Sequence, residues 1–344
     1  MKAIPDDPVF PTGPVFWRAL RTALGRAPLL LIAWLLPFLL GGVLAAPWMS
    51  WFGRTLAHRA APGSVLASMD TVFRQDHAGA IGALRTAGGA SAALLALVSM
   101  WIGVFLAGGW LQVFLERTEG HSVKRFLWGG AKYFWRFLRV WVLSLVGLAV
   151  LAWLLHGWPW NTLLHLLLGA ESMDDLEVVT SEWTAVWATW IQAGLFALGF
   201  SLLLAWGDYT RTRIALQDGH SAVWAGICSF FLILVHPIRT LRPFLLLFLC
   251  ELAVVVLVGI ASWNWNTAIG PASGWVPVLV LFLLGQFVML WQTLCRASRY
   301  CAAVQVSRAL VAPLSRPDPW GSRIGGPGGP QYPIDDTDDY NVSI

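Results

Sequence analysis

Long apolar runs recur along the chain, and shorter segments between them carry most of the charged side chains. A helix of about 20 apolar residues crosses the ~30 Å hydrocarbon core of a bilayer, because each residue adds about 1.5 Å. Six runs approach this length: residues 29–46, 91–115, 140–155, 185–206, 244–261 and 276–291. The pattern predicts an all-α integral membrane protein with six transmembrane helices.

Amphipathic segments come directly before the first and third predicted spans. In the second of them, four basic side chains fall within about 60° of one another on a helix of 100° per residue: Arg125, Lys132, Arg136 and Arg139. Phe126, Tyr133 and Phe137 lie on the opposite face. Residues 16–27 show the same division less sharply. Both segments predict interfacial helices, basic towards anionic headgroups and aromatic towards acyl chains.

The segment before the fifth span, residues 222–237, is apolar nearly all round and breaks at His236-Pro237. It is too short to span a bilayer. The sequence leaves three placements open: interfacial, re-entrant or packed inside the bundle. The first loop on the opposite side, residues 49–90, is long enough for one or two surface helices.

Composition and charge agree with a membrane protein and orient it. Charged residues make up 12% of the chain, against about 25% in soluble domains. Many of the 22 Trp residues lie at span ends, where indoles anchor helices. On an N-in reading, 19 of the 23 Lys and Arg residues fall on the cytoplasmic side. We therefore expect an inner-membrane protein with both termini cytoplasmic, and we attribute the basic charge to topology, not to nucleic-acid binding.

Two stretches resemble each other at a displacement of about 98 residues. The sequence "EGHS" at 119–122 echoes "DGHS" at 218–221, and each follows a row of small residues spaced by four. The first row is Ser99, Gly103 and Ala107, and the second is Ala197, Ser201 and Ala205. This pattern predicts an internal repeat of a helix pair. The small residues further predict close packing between the second and fourth spans.

Composition divides the chain into three parts. Residues 1–13 form a short cytoplasmic segment, and 14–312 form the six-span domain. Residues 313–344 are rich in Pro, Gly and Asp, a composition that cannot bury enough apolar surface to fold. We expect a disordered cytoplasmic tail that can dock a protein partner.

The most conspicuous candidate site is an acid inside a predicted span. Glu251 lies within the apolar run of the fifth span, where an ionised carboxylate is costly. One interpretation is a proton- or cation-coupled transport site. The other, which we favour, is a structural hydrogen bond to Gln286 on the sixth span, with Gln292 closer to the surface and Ser144 a further possible partner.

Basic residues at the cytoplasmic ends of the spans are candidate headgroup ligands: Arg125, Lys132, Arg136, Arg139, Arg211 and Arg213. Asp208 with Arg211 or Arg213 forms either a phosphate clamp or, as we favour, an ion pair at a helix end. His121 and His220 occupy matching turns. We interpret these turns as helix caps in preference to a metal site.

The sequence has no hydrolase, kinase, nucleotide or metalloprotease motif. The four cysteines lie in spans or on the cytoplasmic side, and they show no metal-ligand spacing. We therefore expect no catalytic activity, no metal and no cofactor.

The repeated order of interfacial helix and span carries a family resemblance. It rests on "FLAGGWLQVFLERTEGHSVKRFLWGGAKYFWRFLRV" and "DYTRTRIALQDGHSAVWAGICSFFLILVHPIRTL". The chain resembles a loose group of bacterial six-span membrane proteins, distantly like the membrane domain of some glycerophosphodiester phosphodiesterases. The resemblance covers about residues 14–310 and implies the architecture alone. No catalytic residue carries over, and the soluble phosphodiesterase domain has no counterpart here.

These observations favour a non-catalytic membrane module that engages lipid headgroups or protein partners. A small secondary permease that uses Glu251 is the alternative.

Overall fold

The protein is helical throughout the described part of the chain. The computed structural model describes residues 12–56, 71–116, 122–170, 181–268 and 276–310. These residues form ten α-helices and no strand. In chain order they are α1 (Thr12–Leu24), α2 (Ala27–Leu56), α3 (Thr71–Asp76), α4 (Ala78–Leu115), α5 (Ser122–His156), α6 (Trp158–Leu168), α7 (Glu182–Gln217), α8 (Ala222–Val235), α9 (Pro237–Ala268) and α10 (Val276–Leu310).

Six helical stretches in these ranges are long and apolar enough to cross a membrane. They are α2, α4, α5 with the adjoining α6, α7, α9 and α10. The predicted all-α, six-span class is confirmed, and the chain is a multi-pass membrane protein. The predicted tail, His121 and the acidic stretch around Asp174 lie outside the described residues.

The spanning helices are longer than the apolar runs that predicted them. Helix α2 continues to Leu56 through Pro37 and Pro47, and α4 begins at Ala78. Residues 78–90 contain one charged side chain, Arg85, no Pro and five Ala, the strongest helix former. Much of the expected surface loop is therefore an extension of the spanning helices.

The segment predicted as a separate interfacial helix before the third span is instead the first half of α5. A single helix runs from Ser122 to His156. The aromatic side chains expected in the acyl chains, Phe126, Tyr133 and Phe137, are buried inside the protein. The prediction was wrong on this point, because amphipathicity shows that a face is apolar but not whether lipid or protein covers it.

Most of the buried residues lie at one end of the bundle, which we call the basic end. It comprises α1, α8, the first turns of α2, the first halves of α5 and α9, and the last turns of α4, α7 and α10. Side chains join these elements across long sequence separations. Arg308 of α10 donates to the carbonyl oxygen of Leu115 on α4 at 2.6 Å, and Tyr209 of α7 donates to that of Thr240 on α9 at 2.9 Å.

The closest helix contact at the basic end is made by two glycine pairs. A Cβ on Gly108 of α4 would lie 2.7 Å from the carbonyl oxygen of Gly129 on α5. A Cβ on Gly129 would lie 2.3 Å from the Cβ of Gln112. Both distances are shorter than real Cβ atoms tolerate, so this crossing requires glycine. Such approach is how helices in membranes gain dispersion energy.

Helix α8 lies on the outside of the basic end. Ser221 caps its first turn by accepting from the Trp224 amide, and the helix ends at His236, where the sequence predicts a break. Its inner face packs on the bundle through Ala222, Ala225, Gly226 and Ser229. Trp224 is 66% exposed and Phe230 57%. Of the three predicted placements, packing inside the bundle is excluded.

The small-residue rows do not pack the second and fourth spans together along their length, and contact between these spans is limited. Ser99 and Ala197, the outer members, are exposed, and a Cβ on Gly103 would meet nothing within 4 Å. The inner members, Ala107 and Ala205, are buried at the basic end. The repeat itself has a structural counterpart, because Gly226 of α8 packs against Trp206 of α7 much as Gly129 packs against α4.

Candidate functional site

Glu251 of α9 faces a cation from α10. Its Oε2 lies 3.8 Å from Nη1 of Arg299. The expected hydrogen bond to Gln286 is absent among the described residues, where Glu251 Oε2 and Gln286 Oε1 are both buried without a hydrogen-bond partner. Gln286 lies thirteen residues before Arg299 on the same helix, roughly 20 Å of helix rise away. The depth estimate that paired it with Glu251 was wrong.

Arg299 joins Glu251 to a second acid, Asp208 of α7. Arg299 Nε lies 3.9 Å from Asp208 Oδ2, and Arg211 Nη1 lies 3.1 Å from Oδ1 of the same carboxylate. We call Arg211, Asp208, Arg299 and Glu251 the ionic cluster. It contains two cations and two anions, so its net charge is zero. Burial of such a set is tolerated only while every charge keeps its partner.

The surroundings of the ionic cluster are structural in character. Tyr209, next to Asp208, is buried and donates to the Thr240 carbonyl oxygen, while its ring packs on Phe244 at 5.1 Å between centroids. Thr212 donates to the backbone carbonyl oxygen of Asp208. Asp208 and Arg211 form the ion pair that the sequence predicts in preference to a phosphate clamp, but the pair lies inside α7, which continues to Gln217, and not at a helix end.

The two glutamine candidates do not converge on Glu251. Gln286 and Gln292 are both half-buried on α10. Ser144 is also engaged elsewhere, since it donates to the Val140 carbonyl oxygen within α5. The polar groups that the permease interpretation needs in one place therefore do not surround the acid in the described part of the chain.

Three of the five arginines predicted to bind headgroups are held by acids of the protein: Arg211 in the ionic cluster, Arg125 and Arg136. Arg125 is 2% exposed, and its Nε lies 3.3 Å from Oε2 of Glu116 at the end of α4. Arg136 pairs with Asp218 at the turn before α8, and its second amino group lies 3.3 Å from Nε2 of His220. Burial removes Arg125 from contact with headgroups, which corrects its assignment. The basic face of α5 was predicted to carry four basic residues, and it carries three of them.

The remaining basic residues of α5 lie on its outward face. Lys132 Nζ lies 4.6 Å from the ring centre of Trp128, and Arg139 is exposed beside His220. Between them Trp135 is 69% exposed. Residues three and four positions apart are neighbours on a helix. We call Lys132, Trp135 and Arg139 the α5 outer face.

Arg213, the last headgroup candidate, lies apart from both groups. Its Nε donates to Gln217 one turn later on α7 at 3.2 Å. It lines an open groove between the end of α7, helix α8 and the end of α10. His220 takes part in the turn contacts already described, and Ser221 provides the helix cap that the "GHS" pattern predicts.

Sequence reasoning missed the partners of these groups. Arg299 was counted only among the basic residues of the cytoplasmic side, and Glu116 and Asp218 were not considered as ion-pair partners. The sequence did contain a signal for Arg299. This residue lies four positions after Cys295, which places both on one face of the helix. That face is buried at Cys295 and Ala302. A cation on a buried face needs an acid, and Glu251 and Asp208 are acids at buried or half-buried positions.

In the described residues, no three His, Cys, Asp or Glu side chains come together in a way that could hold a metal ion. Comparison with family models, curated proteins and solved structures finds no match for this chain. The predicted resemblance to six-span bacterial proteins therefore stays a prediction.

Proposed function

We propose that this protein is a non-catalytic membrane module that binds anionic phospholipid headgroups at its basic end. The α5 outer face carries the proposal. An exposed indole flanked by two cations on one helix face, just outside a span, matches the headgroup layer in both its apolar and its charged part. We place this end on the cytoplasmic side of an inner membrane, where anionic lipids attract basic residues.

The neighbouring contacts support this role. Arg136 is tied to Asp218 and His220, and Arg139 donates to the His220 carbonyl oxygen at 3.5 Å. These contacts fix the turn of α5 that carries Trp135. A preformed face loses less side-chain entropy when it binds than a flexible one. The predicted protein partner of the tail remains a separate proposal.

The test compares lipid binding by matched charge variants. Lys132→Gln/Arg139→Gln should lower the amount of phosphatidylglycerol that co-purifies with the protein in neutral detergent, measured by native mass spectrometry. Each cation near the surface contributes about 1 kcal/mol. Arg54→Gln/Arg85→Gln removes the same charge from exposed positions at the opposite end. Equal lipid retention by the two variants would contradict the proposal.

A secondary permease is the second candidate, and one observation favours it. Glu251 Oε2 is buried, and at 3.8 Å from Arg299 it has no hydrogen-bond donor among the described residues. A buried carboxylate with an unused acceptor is where a proton could load. Glu251→Gln should then abolish proton-coupled flux in proteoliposomes without unfolding the protein. Proton flux that survives this substitution would rule the candidate out.

A further inference from the structure

The groove lined by Arg213 has a cationic rim and an apolar floor. Its volume is about 440 Å³, and it is open along one side. Phe231, Leu232 and Val235 of α8 and Leu310 of α10 line it, and Arg213 and His236 provide polar groups at its edge. The volume falls within the range of about 300–1,000 Å³ that is usual for small-molecule pockets.

The rim offers donors to an anion. Arg213 uses Nε for Gln217, and its two terminal nitrogen atoms make no hydrogen bond or ion pair with the described residues. Those two atoms form the planar fork that pairs with phosphate oxygens. His236 lies at the end of α8, beside the same opening.

The floor is continuous with the membrane-facing surface of α8. The groove-lining residues of α8 occupy one helix face next to its outward apolar face, and Phe231 and Val235 belong to both surfaces. An acyl chain can therefore pass from the bilayer into the groove without crossing polar surface. Basic pockets between helices at a membrane surface are sites that hold anionic lipid headgroups.

We propose that this groove is a binding site for one anionic phospholipid, whose phosphate pairs with Arg213 and whose acyl chain covers Phe231 and Leu310. The inference rests on the proposed function and gives it a defined second site on α7, α8 and α10. Its residues do not overlap with the α5 outer face, so the two can fail separately.

Cys228 lines the groove and provides the probe. Cys295 and Cys301 are buried, whereas Cys228 and Cys250 are partly exposed. In a full-length Cys250→Ser protein, Cys228 is therefore the cysteine that a reagent can reach. In nanodiscs, alkylation of Cys228 by a water-soluble maleimide should slow as phosphatidylglycerol replaces phosphatidylcholine. Glycerol phosphate, which has the headgroup chemistry without an acyl chain, should not slow it.

Two substitutions with matched controls test the rim and the floor. Arg213→Gln should raise the phosphatidylglycerol fraction needed for half-protection about tenfold, the factor that one charge-assisted hydrogen bond supplies. Arg85→Gln should not. Phe231→Ser should weaken protection, whereas Phe230→Ser, equally exposed on α8 but outside the groove, should not.

Three results would overturn the inference. One is protection that does not depend on phosphatidylglycerol, and another is equal protection by glycerol phosphate. The third is full protection in pure phosphatidylcholine that Arg213→Gln removes, because the occupant of the groove would then not be an anionic phospholipid. Lys132→Gln/Arg139→Gln should leave the protection of Cys228 unchanged. This variant therefore distinguishes loss of lipid binding at the α5 outer face from loss of lipid binding in the groove.

Discussion

The basic end and the spans beyond it are built by different means, although the same helices run through both. At the basic end, helices approach to backbone contact at Gly108 and Gly129, and charged groups are paired. In the most apolar windows of the spans, between 6% and 17% of residues are buried within the protein. Protein covers protein mainly at the basic end, with a smaller buried cluster around Trp160 and Ala185 at the opposite end, and most of the remaining apolar surface is left to lipid.

The difference has a physical cause. Lipid tails are as apolar as leucine side chains, so burying a leucine between two spans gains little hydrophobic free energy. Close packing and polar contacts hold helices together instead, and both are concentrated at the basic end. The comparison therefore predicts that substitutions at the basic end destabilise the fold and that similar ones in the spans do not.

Loss of Arg299 should have the largest effect. Arg299→Leu leaves Asp208 and Glu251 without their shared cation, and removal of one member of a buried ionic group costs about 3–5 kcal/mol. The free energy of unfolding, measured by titration with a denaturing detergent, should fall by that amount. Arg296→Leu, an exposed cation one turn earlier, should cost less than about 1 kcal/mol.

A rescue variant separates charge from packing at the same position. When Glu251→Gln accompanies Arg299→Leu, Asp208 still pairs with Arg211, so no uncompensated charge remains in the cluster. The double variant should regain a substantial part of the lost stability. If it is as unstable as Arg299→Leu alone, the ionic cluster is not what holds α7, α9 and α10 together.

The glycine crossing should give the next largest effect. Gly129→Leu places a side chain where Gln112 and the backbone of α4 already lie, and overpacking costs about 1–3 kcal/mol or more. Gly103→Leu adds the same side chain on α4 where nothing lies within 4 Å. Thermal unfolding followed by size-exclusion chromatography should show a loss for the first variant alone. Equal losses would place the tight contact elsewhere.

The number of spans and their positions could be predicted from the sequence, because bilayer thickness sets the length of an apolar helix whatever covers its sides. The break at His236-Pro237 was equally predictable, since proline cannot continue the hydrogen-bonding of the preceding turn. The continuity of α5 was not predicted. The sequence around Arg139 and Val140 contains nothing that ends a helix, and this indicated one continuous helix.

The contacts between helices could not be predicted from the hydropathy pattern. Glu251 carries no mark that points to Arg299, because each lies on a separate helix whose rotation hydropathy does not fix. The glycine pairs at 108–109 and 129–130 offered a better signal, since they flank the "EGHS" turn at comparable distances. Two helices joined by a short turn meet at such positions, and small residues there indicate close approach.

One helix allows a direct test of the two regions with the same residue type. Leu247 and Leu257 are both on α9, but Leu247 is 0% exposed at the basic end and Leu257 is 65% exposed in the span. Leu247→Ala should cost about 2 kcal/mol, mainly through the cavity it leaves. Leu257→Ala should change the unfolding free energy by less than about 0.5 kcal/mol. A larger loss at Leu257 would mean that protein, not lipid, covers that face.

The smallest expected effect comes from a single hydroxyl group. Tyr209→Phe removes the hydrogen bond from α7 to the Thr240 carbonyl oxygen and leaves ring packing on Phe244 in place. A buried hydrogen bond contributes about 1 kcal/mol, so the unfolding free energy should fall by about that amount. Tyr300→Phe is the control, because its hydroxyl has no hydrogen bond with any described residue although the side chain is buried. Equal stability of the two variants would show that this hydrogen bond contributes nothing to the contact between α7 and α9, which would then depend on ring packing and on the ionic cluster.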